Sequence, residues 1–394
     1  MIIGLLRLTN LNYYLTQAIG VDVAVDNLGG GALNFNNYFG VAFLSIIALT
    51  KVFKVEARWK SAWPIYALMF IYMANGIASP YVNTTWLVYQ ELFLAIAVVL
   101  HLFIQKVSDG FVDRFKRAMS LLFWPLIGLM VFCGIMILAF NSWSYYIAEY
   151  NEVFVQALDD FGIVKQRYGY LLGFLISYSL FVLKSRPKKF LVVFLAIITG
   201  FGIRSMIIGI IGATLIFTVR KPKQFFLILL IGTIGVFGWL LPNLNGLIYD
   251  TRFYSFLNAY NIIIEFPFGV GLGGYPVYTE LYHRQLYASF FDVSAVLDYI
   301  PLAPESDLVH LFGSLGLILG GLHLLIQLRL VWYSYVLQPL MSSFQKCILF
   351  YFCFMTFFGI SEDSIFSINY WIFFGLSSGI IASLLYKRKY KLND

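Results

Sequence analysis

Apolar residues run through the chain in long blocks that are separated by short polar connections. Blocks of roughly 17–25 apolar residues are typical of transmembrane helices. The pattern predicts eleven of them, and residues 1–20 form a weaker twelfth candidate because polar residues dilute that block. The eleven lie at 38–53, 61–79, 85–105, 120–140, 168–184, 189–203, 205–219, 224–241, 308–331, 346–361 and 368–386. We therefore predict an all-α polytopic membrane protein that forms a single domain over residues 1–394.

Two connections are long enough to carry structure of their own. Residues 141–167 have apolar positions at helical spacing and predict an amphipathic helix on the membrane surface. Residues 242–307 exceed the usual length of a structureless loop, which indicates a functional element. This loop opens with an amphipathic helical pattern at 252–266 and continues through PFGVGLGGYP at 267–276. That glycine- and proline-rich stretch predicts a sharp turn on the membrane surface, since no βαβ unit supports a dinucleotide-binding interpretation.

Composition strengthens the membrane interpretation. Hydrophobic residues make up 60% of the chain, charged residues only 12%, and the mean hydropathy is +0.80. Such a chain could not cover the surface of a soluble domain, and a disordered chain would need the opposite balance. The three cysteines and four histidines are scattered without metal-binding or disulfide spacing. We therefore expect no metal and no other cofactor.

Lysine and arginine are concentrated in one set of connections, which are 51–60, 106–117, 184–189, 220–223, the positions of Arg329 and Lys346, and the tail 387–391. By the positive-inside rule, these connections and the C-terminus lie in the cytoplasm. The two long connections then lie outside. The net charge of +7 thus reports membrane orientation, and we expect no nucleic-acid partner.

Isolated arginines remain on the external side, where positive charge is depleted. Arg204 lies between two short apolar runs that turn at Gly200–Ser205, and an arginine near membrane depth is costly unless it faces a cavity or a partner. Arg252 begins the helical pattern of the long loop, and Arg284 lies further along it. A guanidinium group suits bidentate phosphate binding, although a headgroup-snorkelling arginine or an ion pair also explains such positions. The set favours an anionic substrate near the outer leaflet, such as a lipid pyrophosphate.

Over roughly residues 185–330 the chain resembles the O-antigen polymerase and O-antigen ligase family of bacterial polysaccharide enzymes. The resemblance rests on GIRS at 202–205, on Arg252 followed by NAYNIIIEFPFGVGLGGY, and on ESDLVHLFGSLGLILGG at 305–321. In the ligase-like pattern, His-Asn stands eleven residues before the glycine of the last run. Counting back from Gly316 reaches Glu305-Ser306-Asp307 instead, which favours polymerase over ligase.

The resemblance implies a GT-C-like fold and a metal-independent glycosyltransferase in the bacterial cytoplasmic membrane. Its substrates would be polyprenyl-pyrophosphate-linked oligosaccharides, which serve as both donor and acceptor at the outer face. The product would be a surface polysaccharide: O-antigen of lipopolysaccharide, capsule or exopolysaccharide. A chain-length regulator and a flippase are the expected partner proteins, beside the membrane lipids.

Candidate roles follow for six residues. Arg204 and Arg252 would stabilise the departing pyrophosphate, with Arg284 as a helper and Tyr275 in contact with the substrate. Glu305 is the first candidate for the general base and Asp307 the second. For both acids, simple capping of the following helix is the competing interpretation.

Two other functions stay open. A ligase would transfer the glycan to a different acceptor. A transporter, such as a lipid-linked oligosaccharide flippase or an anion carrier, also suits twelve helices, but it should show repeated halves and paired broken helices. The sequence has one interrupted hairpin, at 189–219, and no obvious match in the first half. A non-catalytic scaffold would leave Arg204 unexplained.

Overall fold

The computed structural model describes residues 59–79, 81–82, 84–105, 109–139, 165–200, 203–219, 221, 224, 251–279, 306–360 and 367–391. Within these ranges every regular element is a helix. The α-helices are α1 (Trp63–Ala78), α2 (Thr84–Ile104), α3 (Asp109–Ala139), α4 (Lys165–Phe181), α5 (Arg186–Gly200), α6 (Arg204–Thr218), α7 (Thr251–Glu265), α8 (Gly274–Tyr278), α9 (Asp307–Val336), α10 (Ser343–Phe358) and α11 (Ile368–Lys391). Short 3-10 turns precede α1 and follow α9.

The predicted helices are confirmed wherever the structure describes the chain. Most observed ends fall within a few residues of the apolar blocks, which is the usual uncertainty of helix boundaries. The largest difference is α3, which begins at Asp109 although its apolar block begins at 120. Within this extension the Phe115 ring centroid lies 5.2 Å from that of Phe344 in α10, so the basic segment also has an apolar contact with another helix. The predicted spans at 38–53 and 224–241, the candidate at 1–20 and the amphipathic segment 141–167 lie outside the described residues.

Three helical segments within the described ranges are long and apolar enough to cross a membrane, namely Val112–Phe132, Asp307–Val336 and Asn369–Arg388. Four more apolar stretches are shorter: Gln90–Ile104, Tyr168–Phe181, Ser205–Thr218 and Ser343–Phe358. This composition is compatible with a membrane protein.

The packed helices form an assembly with two ends, and basic residues are concentrated at one of them. At the basic end, Ser61 before α1 hydrogen-bonds His101 of α2 at 2.8 Å, and the Arg329 guanidinium of α9 lies 5.4 Å from the Trp63 ring centroid. All the lysines and arginines whose side chains are described belong to segments that the sequence predicts to be cytoplasmic. They are Lys60, Arg114, Lys116, Arg117, Lys184, Arg186, Lys188, Lys189, Lys221, Arg329, Lys346, Lys387 and Arg388.

The opposite end brings together the segments that the sequence predicts to be external. The backbone N–H of Asp307, at the start of α9, donates to the carbonyl of Gly359 at the end of α10 (2.8 Å). The backbone N–H of Tyr81, just after α1, donates to the carbonyl of Val270 in the long loop (3.1 Å). The candidate site is built at this end, which we call the external end after that prediction.

Glycines allow the helices to approach closely. Gly375 and Gly379 of α11 are four residues apart, and a β-carbon at either would meet a carbonyl oxygen of α2, that of Ala97 or His101. This parallel contact is the small-xxx-small arrangement of membrane helix pairs. A second contact, which we call the glycine–phenylalanine bundle, joins α4 and α6 to α10. There Gly169, Gly173, Gly209 and Gly212 admit the rings of Phe354, Phe357 and Phe358.

Candidate functional site

Helix α9 is broken at Gly316, near its external end. The glycine has φ +71° and ψ −177°, which lies outside the helical region and is essentially reserved for glycine. A β-carbon there would collide with the carbonyl oxygen of Pro267. The break separates a short segment that begins at Asp307 from the long remainder of the helix. It also frees backbone groups in the turn before it, and these need other partners when buried.

Residues 266–273 of the long loop supply those partners. The N–H of Val270 donates to the carbonyl of Gly313 (3.1 Å), and the N–H of Gly271 donates to that of Ser314 (3.0 Å). In return, Ile318 N lies 3.5 Å from the Pro267 carbonyl oxygen. We call residues 266–273 together with 313–318 the loop–break junction.

The loop can enter the break because three of its residues are glycines with positive φ: Gly269 (+78°), Gly271 (+102°) and Gly273 (+69°). A β-carbon at Gly269 would meet the Ser314 carbonyl, and one at Gly271 would lie 2.7 Å from Val82 Cα. The prediction of a sharp turn is confirmed, and its expected place on the membrane surface stays a prediction. Val270 and Leu272 are fully buried, because the broken helix offers hydrogen bonds that only a close approach can reach.

Tyr275 follows the loop in α8 and packs between α7 and α9. Its ring is fully buried, and a β-carbon on Gly313 of α9 would lie 2.7 Å from its Cδ2. Its hydroxyl lies 3.4 Å from the backbone carbonyl of Ser255 in α7. The structure thus gives Tyr275 a packing contact with both helices, and its predicted contact with substrate stays a prediction.

Helix α7 fits against the short external segment of α9 through the apolar cluster of Ala259, Ile262, Val270, Tyr275, Tyr278 and Val309. On the same helix, Ser255 Oγ and Asn258 Oδ1 are buried without a hydrogen-bond partner among the described residues. Asn258 Nδ2 donates to Thr279 Oγ1 (2.6 Å). At the other end of α7, Glu265 accepts a hydrogen bond from the hydroxyl of Tyr278. The helix is therefore fixed along its length and carries a polar face whose hydrogen bonding is incomplete.

Asp307 lies in the first turn of α9 and is buried, with 4% of its surface exposed. Ser306 is the N-cap and accepts a hydrogen bond from Val309 N (3.2 Å). A carboxylate beside the N-terminal N–H groups of a helix is stabilised by the helix dipole, so the dipole alone explains an acid at this position. The ring of Tyr370 from α11 lies within electrostatic range of this carboxyl, and its buried hydroxyl has no hydrogen-bond partner in the part of the chain that the structure describes. Sequence reasoning missed Tyr370, because one tyrosine in an aromatic-rich helix gives no signal.

The other predicted site residues are placed only in part. Arg204 begins α6 and Arg252 lies in the first turn of α7, and the described structure covers their backbones but not their side chains. Ile203, just before Arg204, packs at the external end, within 3.5 Å of a β-carbon built on Gly169, which also meets Phe358. Arg284 and Glu305 lie outside the described residues. The roles proposed for these four residues stay predictions.

A second group of polar side chains lies deeper among the helices. Tyr72 Oη of α1 is 3.1 Å from His323 Nδ1 of α9, and Trp371 Nε1 of α11 donates to Gln90 Oε1 of α2 (3.1 Å). The Trp371 ring lies edge-on to Tyr72, at 6.3 Å between centroids. These pairs join four helices and hold His323 in the packed core, where its Nε2 is buried without a hydrogen-bond partner within the ranges that the structure describes. Among the described residues, no group of three or more His, Cys, Asp or Glu side chains could hold a metal ion.

Comparison with protein-family models gives no match, and comparison with curated proteins finds no relative. The function is therefore inferred from the residues and from the geometry above.

Proposed function

We propose that the protein is a polytopic membrane glycosyltransferase that polymerises polyprenyl-pyrophosphate-linked oligosaccharide units into a surface polysaccharide. It would act at the outer face of the bacterial cytoplasmic membrane, with 11–12 transmembrane helices, a GT-C-like fold and a cytoplasmic C-terminus. Membrane character is supported by the apolar helices and by the basic end of the bundle.

The observation that carries the proposal is the loop–break junction. Through it, α7, which carries Arg252 in its first turn, is fastened to the helix segment that begins at Asp307. Both elements lie at the end away from the described basic residues. The junction thus fixes the relative position of two elements, one with Arg252 and one with Asp307. A glycosyl transfer from a pyrophosphate needs an arginine that binds the phosphates and a carboxylate that accepts a proton, both held in fixed geometry.

The proposed reaction has one bond formed and one broken. An acceptor hydroxyl on the incoming repeat attacks the anomeric carbon of the donor glycan, and the bond from that carbon to the pyrophosphate oxygen breaks. Arg204 and Arg252, helped by Arg284, stabilise the charge on the polyprenyl pyrophosphate that leaves. Glu305 or Asp307 accepts the hydroxyl proton and then releases it to water.

The test uses the glycan of the producing cell. Arg204→Ala and Arg252→Ala should each abolish long-chain polysaccharide while the protein still inserts at wild-type amounts. A polymerase variant leaves single repeat units attached to their final acceptor, whereas loss of a ligase leaves none. Long-chain polysaccharide persisting in both variants would overturn the proposal.

Transport is the second candidate, and one observation favours it. Gly316 breaks a second apolar element besides the interrupted hairpin at 189–219, and broken helices form the binding sites of many transporters. A transporter would move the lipid-linked substrate across reconstituted vesicles without lengthening it.

A further inference from the structure

Asn75 lies in the middle of the external half of α1, in a helix whose sequence gave no reason to expect a function. Its side chain is fully buried. The amide nitrogen donates to the carbonyls of Phe268 and Ser314, both at 2.9 Å, while the amide oxygen accepts from Leu272 N at 3.2 Å. One side chain thus contacts both halves of the loop–break junction, although they lie far from it in sequence.

The end of α1 continues the same attachment. Ser79 Oγ, which is 3.0 Å from Asn75 Nδ2, donates to the carbonyl of Gly269 at 3.0 Å. Tyr81 N donates to the carbonyl of Val270 at 3.1 Å. The loop therefore lies between α9 on one side and α1 on the other, and its backbone groups are hydrogen-bonded to both.

A polar side chain in an apolar helix is costly unless its donors and acceptors are satisfied. Asn75 meets this condition only because the loop and the broken helix present backbone carbonyls and an N–H to it. An aspartate would have the same shape and keep the acceptor for Leu272 N, but it would set a carboxylate against the two carbonyl oxygens. The geometry therefore requires an amide.

We propose that Asn75 is a positioning residue of the candidate site. By holding the Gly269–Gly273 loop in the break of α9, it fixes α7, with Arg252, relative to the segment that begins at Asp307. This role rests on the proposed glycosyltransferase function. Asn75 touches no reacting group, so its loss should lower the turnover number and leave the KM for the lipid-linked donor within about twofold.

The first measurement needs no substrate. Amide hydrogen exchange is followed for the full-length protein in lipid nanodiscs, for the wild type and for Asn75→Asp and Asn75→Ala. The N–H groups of Val270, Gly271 and Leu272 should exchange at least about tenfold faster in both variants, because opening the loop then breaks fewer hydrogen bonds. Gln90→Met is the matched control, since it removes another fully buried amide that bonds Trp371 at a different place in the bundle. It should leave the loop amides as slow as in the wild type.

The second measurement is chain lengthening of the native lipid-linked oligosaccharide by the same nanodisc samples. Asn75→Asp should lower the turnover number at least about tenfold, since small misplacements of reacting groups have effects of that order. Slow loop exchange in both Asn75 variants would overturn the attachment itself. Fast exchange with wild-type turnover would overturn only the positioning role. A wild-type protein that lengthens nothing would refute the proposed function, and the exchange result would still show separately whether Asn75 holds the loop.

Discussion

The glycine–phenylalanine bundle and the loop–break junction both depend on glycine, but in different ways. In the bundle, Gly173 makes room for the ring of Phe354 and Gly212 for that of Phe357, so these contacts join a backbone to a side chain. In the junction, Gly316 makes room for the carbonyl of Pro267, so the contact joins two backbones. A side chain can be shortened by substitution, whereas a backbone cannot. The bundle should therefore accept compensating changes that the junction does not.

The largest expected effect is at Gly316. Gly316→Ala places a methyl group on the Pro267 carbonyl and forces alanine into a conformation reserved for glycine, which alone costs about 1–3 kcal/mol. We expect the free energy of unfolding to fall by at least about 3 kcal/mol, measured as a lower thermal midpoint in detergent or as the absence of folded protein. Gly321→Ala is the matched control on the same helix, because a β-carbon there meets nothing within 4 Å. If the two variants were equally stable, the break at Gly316 would be contradicted.

The next effect tests compensation in the glycine–phenylalanine bundle. Gly173→Ala drives a β-carbon into the Phe354 ring, and such overpacking costs about 1–3 kcal/mol. Adding Phe354→Leu makes room for that β-carbon, so the double variant should be about 1 kcal/mol more stable than the sum of the two single losses predicts. Thermal unfolding of the wild type and the three variants measures this coupling. The corresponding pair in the junction, Gly316→Ala with Phe268→Ala, should be additive. Equal coupling in the two cycles would remove the distinction between the regions.

The smallest effect concerns the polar group of Tyr72, His323, Gln90 and Trp371. Tyr72→Phe removes the hydroxyl that bonds His323 Nδ1, and a hydrogen bond of this kind is worth about 0.5–1.5 kcal/mol. Thermal unfolding in detergent should show that the free energy of unfolding is lower by an amount in that range. Tyr66→Phe, at an exposed position of the same helix, should change nothing measurable. A wild-type midpoint for Tyr72→Phe would mean that this contact does not hold α1 to α9.

The fold could be predicted from sequence where one property repeats along the chain. Apolar blocks predict α1, α2 and α10, and helical spacing predicts α7 within the long loop, because these signals are local. The turn at 267–276 was also local, since glycine and proline mark it. Its burial was not, because it depends on a break in a helix that begins more than thirty residues later.

The candidate site could be predicted only from residues whose type is rare in the surrounding sequence. Arg252 and Asp307 stand out because charges are scarce, and the structure fastens together the two elements that carry them. Asn75 does not stand out, since asparagine occurs throughout the chain, and Gly316 was only the reference glycine of the family pattern, with no sign of a helix break. Their roles come from pairings between segments that are distant in sequence, which a pattern along one helix does not contain.

The most direct test of the central claim uses purified protein in vesicles that carry the native lipid-linked oligosaccharide in both leaflets. The account predicts a ladder of lengthened glycans on the lipid carrier, with release of free polyprenyl pyrophosphate. The ladder should be absent with Arg252→Ala and present with Gly321→Ala. Movement of the substrate between leaflets with no lengthening by the wild type would contradict the account and identify a transporter.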